Sequence, residues 1–225
     1  MAGTDRRQAA RAHAAEQRRQ EQRRRARRRG ITIAAIVAAA VAVLGGGTAA
    51  IVAATASPAA NADGRTSPPP WSAPADVEAR VKAAGLGMLT AEGTALHIHQ
   101  HLTVTVDGKA VQVPAFIGID EQAQRISAVH THDASGIIHV ESPEVRTFHL
   151  DQVFAEWDVR LAKHAIGPYV DGKDGATLTV FVNQHRYTGD PRSIALTGHE
   201  DIDLVVTHGA ATPQPPAKFV WPKGL

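Results

Sequence analysis

Apolar and polar residues alternate along the chain on both sides of the dipeptide Asp-Gly at 107–108. Such alternation places the apolar side chains of an extended strand on one face, and Asp-Gly is a frequent two-residue turn in β-hairpins. Pairing through this turn sets Val104 opposite Val111. In the same register Leu102 faces Val113, so the apolar side chains of both strands lie together. The pattern therefore predicts a β-hairpin with one apolar face.

Further period-two segments predict strands at residues 126–129, 136–141, 177–183 and 202–206. Another segment has the period of a helix instead, because its apolar residues recur at i, i+3, i+4, i+7 and i+11. These residues are Leu150, Val153, Phe154, Trp157 and Leu161. Asp151 is the expected capping residue of this helix. A shorter helix is predicted before the hairpin, opened by Ser72 and Pro74 and closed by Gly85.

Many strands with few helices predict an α+β domain, built mainly on antiparallel β-sheet with one or two short helices. A β-grasp-like fold, a small sandwich and a small barrel all satisfy this description. The predicted domain spans residues 76–209, a length that suits one hydrophobic core. A linker rich in Pro, Ser and Ala precedes it at 57–75. A Pro-rich tail follows at 210–225, where Phe219 and Trp221 are the residues expected to hold it to the domain.

The chain before the linker has a different character. Residues 1–30 form a basic tail, with eleven arginines against three acidic residues. Residues 31–56 carry no charge, and a membrane-spanning helix needs about 20 mostly apolar residues. Because basic flanks stay in the cytoplasm, a single span here predicts a membrane protein with a cytoplasmic N-terminus and an extracytoplasmic domain. A cleaved signal segment is the alternative, and it predicts a secreted domain.

The net charge differs between these regions and limits the class of partner. The whole chain carries +2, yet residues 63–225 hold 13 basic and 19 acidic residues, a net charge of −6. An acidic domain argues against nucleic acid as a partner. The chain contains no cysteine, so disulfides and thiolate ligands are excluded, and a metal site has to use His, Asp or Glu.

Histidines carry the sharpest functional signal. Eleven of the twelve lie between His97 and His208, and the densest form two clusters followed by His139. Residues at i and i+2 of a strand share a face, so each cluster presents its imidazoles to one side. Two strand histidines completed by a third ligand are typical of zinc and copper sites. The predicted copper or zinc ligands are His97, His99, His101, His130, His132, Asp133 and His139.

Other interpretations of the clusters stay open. Histidines on a half-exposed strand are also explained by simple solvation of its polar face, and imidazoles that titrate together also make a pH sensor. The scattered histidines are expected to be structural or exposed, namely His149, His164, His185, His199 and His208. The chain lacks a phosphate-binding Gly-rich loop, a His-Glu-x-x-His motif and a Gly-x-Ser-x-Gly elbow.

Three blocks of the chain resemble a family of uncharacterised bacterial proteins that are exported or anchored in the membrane. The blocks are LHIHQHLTVTVDGKAVQVPAFIGI, AVHTHDASGIIHVESP and TFHLDQVFAEWDVRL, which cover roughly residues 85–165. This resemblance implies that the blocks form one unit, and it implies no particular activity.

Two known folds are matched in part. The His-x-His pair is similar to the metal motif of cupins, but that motif continues to a Glu, whereas His101 is followed by Leu-Thr-Val. Residues 180–183, 193–196 and 201–206 are similar to the end of β-grasp domains. A hairpin followed by a helix and more strands also suits a β-grasp fold, although the strand that carries His139 is an addition to it.

Three functional hypotheses follow. The first is a membrane-anchored extracytoplasmic domain that binds copper or zinc for binding, delivery or sensing. The second is a metal-dependent enzyme, a hydrolase or an oxidoreductase, with an open coordination position and with Asp133 or Glu141 as general base. The third is an interaction domain whose histidines bind no metal. The predicted partners are the membrane and a metal ion.

Overall fold

The computed structural model of the protein describes residues 64–210 and 212–225. The basic tail 1–30, the membrane or signal segment 31–56 and the first part of the linker 57–75 lie outside the described residues. Within the two described ranges, no helix is long and apolar enough to cross a membrane.

The described residues form thirteen β-strands and two α-helices. The strands are β1 (Met88–Leu89), β2 (Leu96–Val106), β3 (Lys109–Val111), β4 (Ile119–Asp120), β5 (Arg125–Ser127), β6 (Val129–His130), β7 (Ile137–Ser142), β8 (Leu161–Ala162), β9 (Ala165–Ile166), β10 (Tyr169–Val170), β11 (Ala176–Val182), β12 (His185–Tyr187) and β13 (Glu200–His208). The α-helices are α1 (Val77–Ala83) and α2 (Leu150–Trp157), and single 3-10 turns cover Lys173–Gly175 and Pro191–Ser193. This content confirms the predicted α+β class with two short helices.

The main sheet of the described residues has seven strands. Six of them follow the order β12-β11-β13-β2-β7-β6, and β3 pairs with β2 as well. Its neighbouring strands are antiparallel except for β13 and β2, which are parallel at the centre of the sheet. Two smaller antiparallel sheets have the orders β1-β5-β4 and β10-β9-β8. The predicted, mainly antiparallel sheet is therefore confirmed, with a parallel central pair in addition.

One face of the main sheet carries the hydrophobic core. Leu102 and Val104 of β2 are buried there with Ile202 and Leu204 of β13, and each is at most 1% exposed. The apolar residues of α2 belong to the same buried cluster. Because side chains alternate along a strand, the odd-numbered residues of β2 point to the opposite face. The histidines of β2 are odd-numbered, so they lie on the face away from the core.

The predicted hairpin is formed by β2 and β3. Asp107 and Gly108 have φ angles of 50° and 75°, the left-handed conformations that a two-residue type I′ turn requires. The register sets Val104 opposite Val111, as the alternation predicts. The turn chemistry and the apolar face therefore agree on one pairing.

The hairpin is shorter than predicted, and one expected strand is divided. The pairing of Leu102 with Val113 is wrong, because β3 ends two residues earlier and the Leu102 amide donates to the Gly136 carbonyl at 2.9 Å. The strand beginning just after Gly136, β7, occupies the rest of this edge of β2. The segment 126–129 is likewise not one strand, since β5 belongs to a small sheet and β6 to the main sheet. This division brings β6 beside β7.

The helix α2 is shorter than its apolar stripe. It begins directly after His149, whose backbone N–H donates to the Gln152 side chain at 3.0 Å. The expected cap at Asp151 is therefore wrong, since that residue lies inside the first turn. The helix ends where Asp158 takes a left-handed φ of 58°, so Leu161 lies in β8 and not on the helix.

The helix α1 begins later than the sequence suggests. Ser72 and Pro74 precede it without helical structure, and Asp76 is the residue at its N-terminal cap. Its end agrees with the prediction, because Gly85 follows with φ of 69°, a conformation that favours glycine. Only its start shifts, by about one turn, so the helix is shorter than predicted.

Residues 64–75, which the sequence groups with the linker, pack against α2. Trp71 is 2% exposed, and its ring centroid lies 5.7 Å from that of Trp157 in an edge-on arrangement. The Trp157 indole N–H donates to the backbone carbonyl of Trp71 at 2.9 Å. This stretch therefore contributes to the hydrophobic core.

The C-terminal tail lies across the β2–β13 pair. The Phe219 amide donates to a carboxylate oxygen of Asp201 at 2.9 Å, and the Phe219 ring stacks on His101 with centroids 3.6 Å apart. The ring of Trp221 lies 4.6 Å from that of His199. The tail is thus held to the domain through its two aromatic residues.

Candidate metal centre

Antiparallel pairing aligns histidines from three adjacent strands. His99 of β2 lies directly opposite His139 of β7, and His139 lies directly opposite His130 of β6. In the next position along β2, His97 is opposite Glu141 of β7. Cβ atoms of directly opposed residues are about 4.5–5.5 Å apart, so this register alone holds the side chains near one another.

Five imidazoles and one carboxylate meet on the face away from the core. They are His97, His99, His130, His132, His139 and Glu141, which we call the His/Glu cluster. The ring centroid of His139 lies 4.6 Å from that of His99, 4.5 Å from that of His132 and 5.4 Å from that of His130. His139 therefore occupies the middle of the cluster.

The cluster contains two overlapping sets of potential ligands. One set is His97, His99, His139 and Glu141, and the other is His130, His132, His139 and Glu141. Within each set, the ligand atoms lie within 4.8 Å of one another. Zinc–nitrogen bonds of about 2.0–2.1 Å place tetrahedral ligand atoms roughly 3.4 Å apart, so either set needs only small side-chain movements to hold an ion.

Each His-x-His pair already has its ring nitrogens at a short distance. The Nε2 atoms of His97 and His99 are 3.1 Å apart, and those of His130 and His132 are also 3.1 Å apart. Two ring nitrogens at this distance need a proton or a cation between them, because two lone pairs repel. A metal ion that binds both nitrogens replaces that proton.

The backbone sets the tautomer of His130. Its Nδ1 lies 2.9 Å from the carbonyl oxygen of Ser127, which accepts a hydrogen bond and cannot donate one. His130 therefore carries its proton on Nδ1 and keeps a lone pair on Nε2, the nitrogen that faces His132. Metal-binding histidines are oriented in this way, by a second hydrogen bond from the opposite ring nitrogen.

Glu141 supplies a buried negative charge to the cluster. It is 3% exposed, and its Oε1 lies 3.2 Å from Nε2 of His97 and 3.2 Å from Nδ1 of His139. Among the described residues, no hydrogen-bond partner reaches its Oε2. A buried carboxylate is costly unless it is paired, and a bound cation in the cluster would pair it.

Burial also sets the protonation state of the cluster. It lowers the pKa of His130 to about 3 and the pKa of His139 to about 4, and it lowers the pKa of His99. Those three imidazoles are therefore neutral at pH 7 and offer the lone pairs that a metal requires. Burial raises the pKa of Glu141 to about 6, and the nearby Glu92 carboxylate adds to the rise.

The structure does not bring every predicted ligand together. His101 lies outside both ligand sets, with Nδ1 at 2.9 Å from the Asp201 carboxylate and Nε2 at 3.2 Å from the Ser135 carbonyl. Asp133 also lies outside both sets, is exposed, and accepts a hydrogen bond from the Ser135 amide at 2.9 Å. The other five predicted ligands are all members of the His/Glu cluster.

Two acidic residues of the site are not among the ligands predicted from the sequence. The sequence predicts Glu141 only as a general base, although its position two residues after His139 places both side chains on one strand face. Glu92 lies in the loop before β2, with Oε1 3.8 Å from Nε2 of His132. Because loop residues follow no periodic pattern, the position of Glu92 beside the cluster could not be predicted from the sequence.

Among the other described histidines, His199 lies beside the cluster, because its backbone N–H donates to the His99 carbonyl at 2.7 Å. The others lie elsewhere. His149 caps α2, while His185 is exposed on β12. His164 contacts Asp171, with Nδ1 3.0 Å from the carboxylate. These contacts are of the structural or exposed kind that scattered histidines predict.

The two described cavities do not include the cluster among their lining residues. One of about 220 Å³ lies beside Leu86 and Phe148, and one of about 500 Å³ lies beside Val111 and Tyr169.

Comparisons with protein-family models, with curated proteins and with solved structures found no match for this chain. The geometry of the His/Glu cluster therefore carries the functional argument.

Proposed function

We propose that the protein is a metal-binding domain that holds copper or zinc through the His/Glu cluster. One observation carries the proposal, namely that five imidazoles and a buried carboxylate form two overlapping sets of four, each with its ligand atoms within 4.8 Å of one another. Imidazole nitrogen suits zinc and copper, whereas calcium and magnesium prefer oxygen ligands. The donor set therefore favours a transition metal.

The exposure of the ligands favours binding and exchange over catalysis. The side chains of His97 and His132 are 54% and 42% exposed, whereas His130 is fully buried. An ion can thus enter from solvent through the outer imidazoles and be held by the inner ones. Binding, delivery or sensing of the ion is therefore the preferred role.

The proposed setting of the domain is the outer side of the cell membrane. The uncharged segment 31–56 after an arginine-rich tail supports a single membrane span with the domain outside. A cleaved signal segment leads to the same compartment. Separation of cell fractions, with protease added from outside, distinguishes an anchored domain from a secreted one.

We also propose that the main sheet is a β-grasp variant. The order of elements supports this, with a hairpin β2–β3, the helix α2, and then β11, β12 and β13. The parallel placement of β13 beside β2, flanked by β11 and β3, supports it further. In this fold β6, the residues just after it and β7 are the addition, and together they carry three of the five histidines of the cluster.

The test of metal binding is the metal content of the full chain, purified without a His tag. We expect at least one equivalent of zinc or copper by mass spectrometry. The variant His130→Ala/His132→Ala should bind less metal than the unaltered chain, because it removes half of one ligand set. The matched control is His164→Ala/His185→Ala, which deletes two imidazoles outside the cluster and should keep the metal. Absence of metal from the unaltered chain, with no binding on titration, contradicts the proposal.

A further inference from the structure

The two His-x-His pairs of the cluster lie on strands that are not neighbours. His97 and His99 are on β2, whereas His130 and His132 belong to β6 and its end, and β7 runs between these strands. Adjacent strands are about 4.7–4.9 Å apart, so the two backbones are separated by roughly 9.5 Å. Each pair therefore approaches the middle strand from its own side.

One ion is too small to use both pairs. Metal–nitrogen bonds of about 2.0–2.1 Å limit the ligand atoms of one ion to a separation of at most about 4.2 Å. In the described residues the potential ligands fall into two sets, each with one pair, and not into one set with both. Uniting them would require the ring nitrogens of both pairs to leave these positions, in which each pair groups with His139 and Glu141 and not with the other pair.

The residues common to both sets lie on the middle strand. Glu141 has two carboxylate oxygens, of which Oε1 contacts His97 and His139. Its Oε2 is buried and lacks a hydrogen-bond partner among the described residues. A carboxylate that binds one ion through each oxygen is a common bridge in two-metal sites, where the ions are about 3.5–4 Å apart. His139 lies between the pairs, with its ring edge-on to His99 and to His132.

Negative charge is also available on the side of His132. Oε1 of Glu92 lies 3.8 Å from Nε2 of His132. The Asp133 carboxylate directly follows His132 in the chain. An ion held by His130 and His132 therefore has acidic neighbours besides Glu141, which offset the charge of a second cation.

We infer that the His/Glu cluster is a dinuclear centre, which rests on the proposed metal-binding function. One ion is held by His97 and His99, the other by His130 and His132. Glu141 bridges the two ions, and His139 binds one of them. The cluster therefore stores two ions for each chain.

Titration of the full chain with Zn²⁺ and Cu²⁺ tests the number of ions. We expect two equivalents for the unaltered chain. His97→Ala/His99→Ala and His130→Ala/His132→Ala should each retain one, because each leaves one pair together with the shared residues. Because His130 is fully buried, the exposed single variants His97→Ala and His132→Ala provide a second comparison that leaves the inner packing intact. In each of them one of the two equivalents should bind at least tenfold more weakly.

Electron paramagnetic resonance of the Cu²⁺-loaded chain tests the bridge. Two Cu²⁺ ions about 4 Å apart and joined by a carboxylate couple magnetically. The spectrum should therefore account for less copper than is bound, and either pair variant should restore a full one-copper signal. Glu141→Gln should uncouple the ions or lose one of them, whereas the matched change Glu144→Gln, at an exposed carboxylate outside both ligand sets, should do neither.

The outcomes separate this inference from the function on which it rests. If the unaltered chain binds a single equivalent and both double variants lose it, one ion is held jointly by both His-x-His pairs. That result overturns the dinuclear centre and keeps the metal-binding function. Two equivalents with two uncoupled copper signals overturn the bridge. No bound Zn²⁺ or Cu²⁺ at all overturns both proposals.

Discussion

His99 and His101 are the same residue type, two positions apart on the same face of the same strand, yet their surroundings differ completely. Opposite His99 on β7 stands His139, and the ring joins the His/Glu cluster. Opposite His101 stands Ile137, while Asp201 of β13 and Phe219 of the tail bind its ring. The neighbouring strands, and not the His-x-His-x-His pattern, decide which histidine can bind metal and which one joins the tail to the sheet.

The largest expected difference between these positions is in metal affinity. His99→Ala should weaken the binding of one of the two Zn²⁺ equivalents by about 100-fold or more, because loss of a residue that only orients a metal ligand already costs 10–100-fold. His101→Ala should change the affinity by less than about threefold, since its ring nitrogens bond to Asp201 and Ser135. Competition titration against a fluorescent zinc chelator measures both. Equal losses in the two variants would show that His101 belongs to the site.

Asp201 should show the opposite behaviour, because its removal should lower the stability of the domain and leave the Zn²⁺ affinity unchanged. Asp201 accepts from the His101 ring and from the Phe219 amide, and it is 3% exposed. Asp201→Ala should lower the free energy of unfolding by about 2 kcal/mol, because hydrogen bonds to charged groups contribute about 1.5–3 kcal/mol. Urea denaturation of the metal-free chain measures the change. The control is the Zn²⁺ affinity, which should stay unchanged. A parallel loss of affinity would show that the contacts of Asp201 also support the His/Glu cluster.

Asp203, two residues further along β13, should make the stability of the domain depend on pH. Burial raises its pKa to about 7, with the Asp201 carboxylate adding to the rise. A raised carboxyl pKa means that the folded state holds its proton more tightly than the unfolded state. The contribution of Asp203 to the free energy of unfolding is therefore most favourable below about pH 4, and it is lost as the pH rises toward 7.

Asp203→Asn should remove that pH dependence. Relative to the unaltered chain, the variant should gain on the order of 1–2 kcal/mol of stability between pH 4 and pH 8, less than the full pKa shift corresponds to because the protein relaxes around the charge. Denaturation at several pH values measures the difference. A constant difference across this range would contradict the raised pKa.

The smallest expected effect concerns the tail. Phe219 stacks on His101 with the ring planes 8° apart, and its backbone is held independently by Asp201. Phe219→Ala should lower the free energy of unfolding by about 1 kcal/mol, which is the typical contribution of an aromatic contact. Thermal unfolding measures it, and Zn²⁺ affinity should not move. A loss above about 3 kcal/mol would mean that the tail is part of the main core.

Much of the site follows from the sequence because strand periodicity is a local property. Alternation alone places His97, His99 and His101 on one face, and it places His139 with Glu141 on another strand face. Which faces meet depends on the pairing of β2 with β7, about 40 residues apart in the chain. That pairing decides that His99 meets His139 while His101 does not, and local pattern does not encode it.

The fold shows the same division between local and long-range information. The Asp-Gly turn at 107–108 specifies its own register, so the pairing of Val104 with Val111 is predictable. The parallel pairing of β2 with β13 joins segments about 100 residues apart, and apolar periodicity does not name a partner. The helix α2 ends because Asp158 takes the left-handed conformation, which a glycine would usually signal in the sequence. The spacing of Leu161 therefore predicts a helical position that the residue does not have.

The most direct test of the metal-binding account observes the imidazole nitrogens themselves. Long-range proton–nitrogen NMR of the full chain at pH 7, before and after addition of Zn²⁺, reports each ring nitrogen, with assignments from single His→Gln variants. We expect Nε2 of His130 and nitrogens of the other cluster histidines to shift, and the ring nitrogens of His101 to stay unchanged. Unchanged nitrogens in the His/Glu cluster at saturating Zn²⁺ would contradict it.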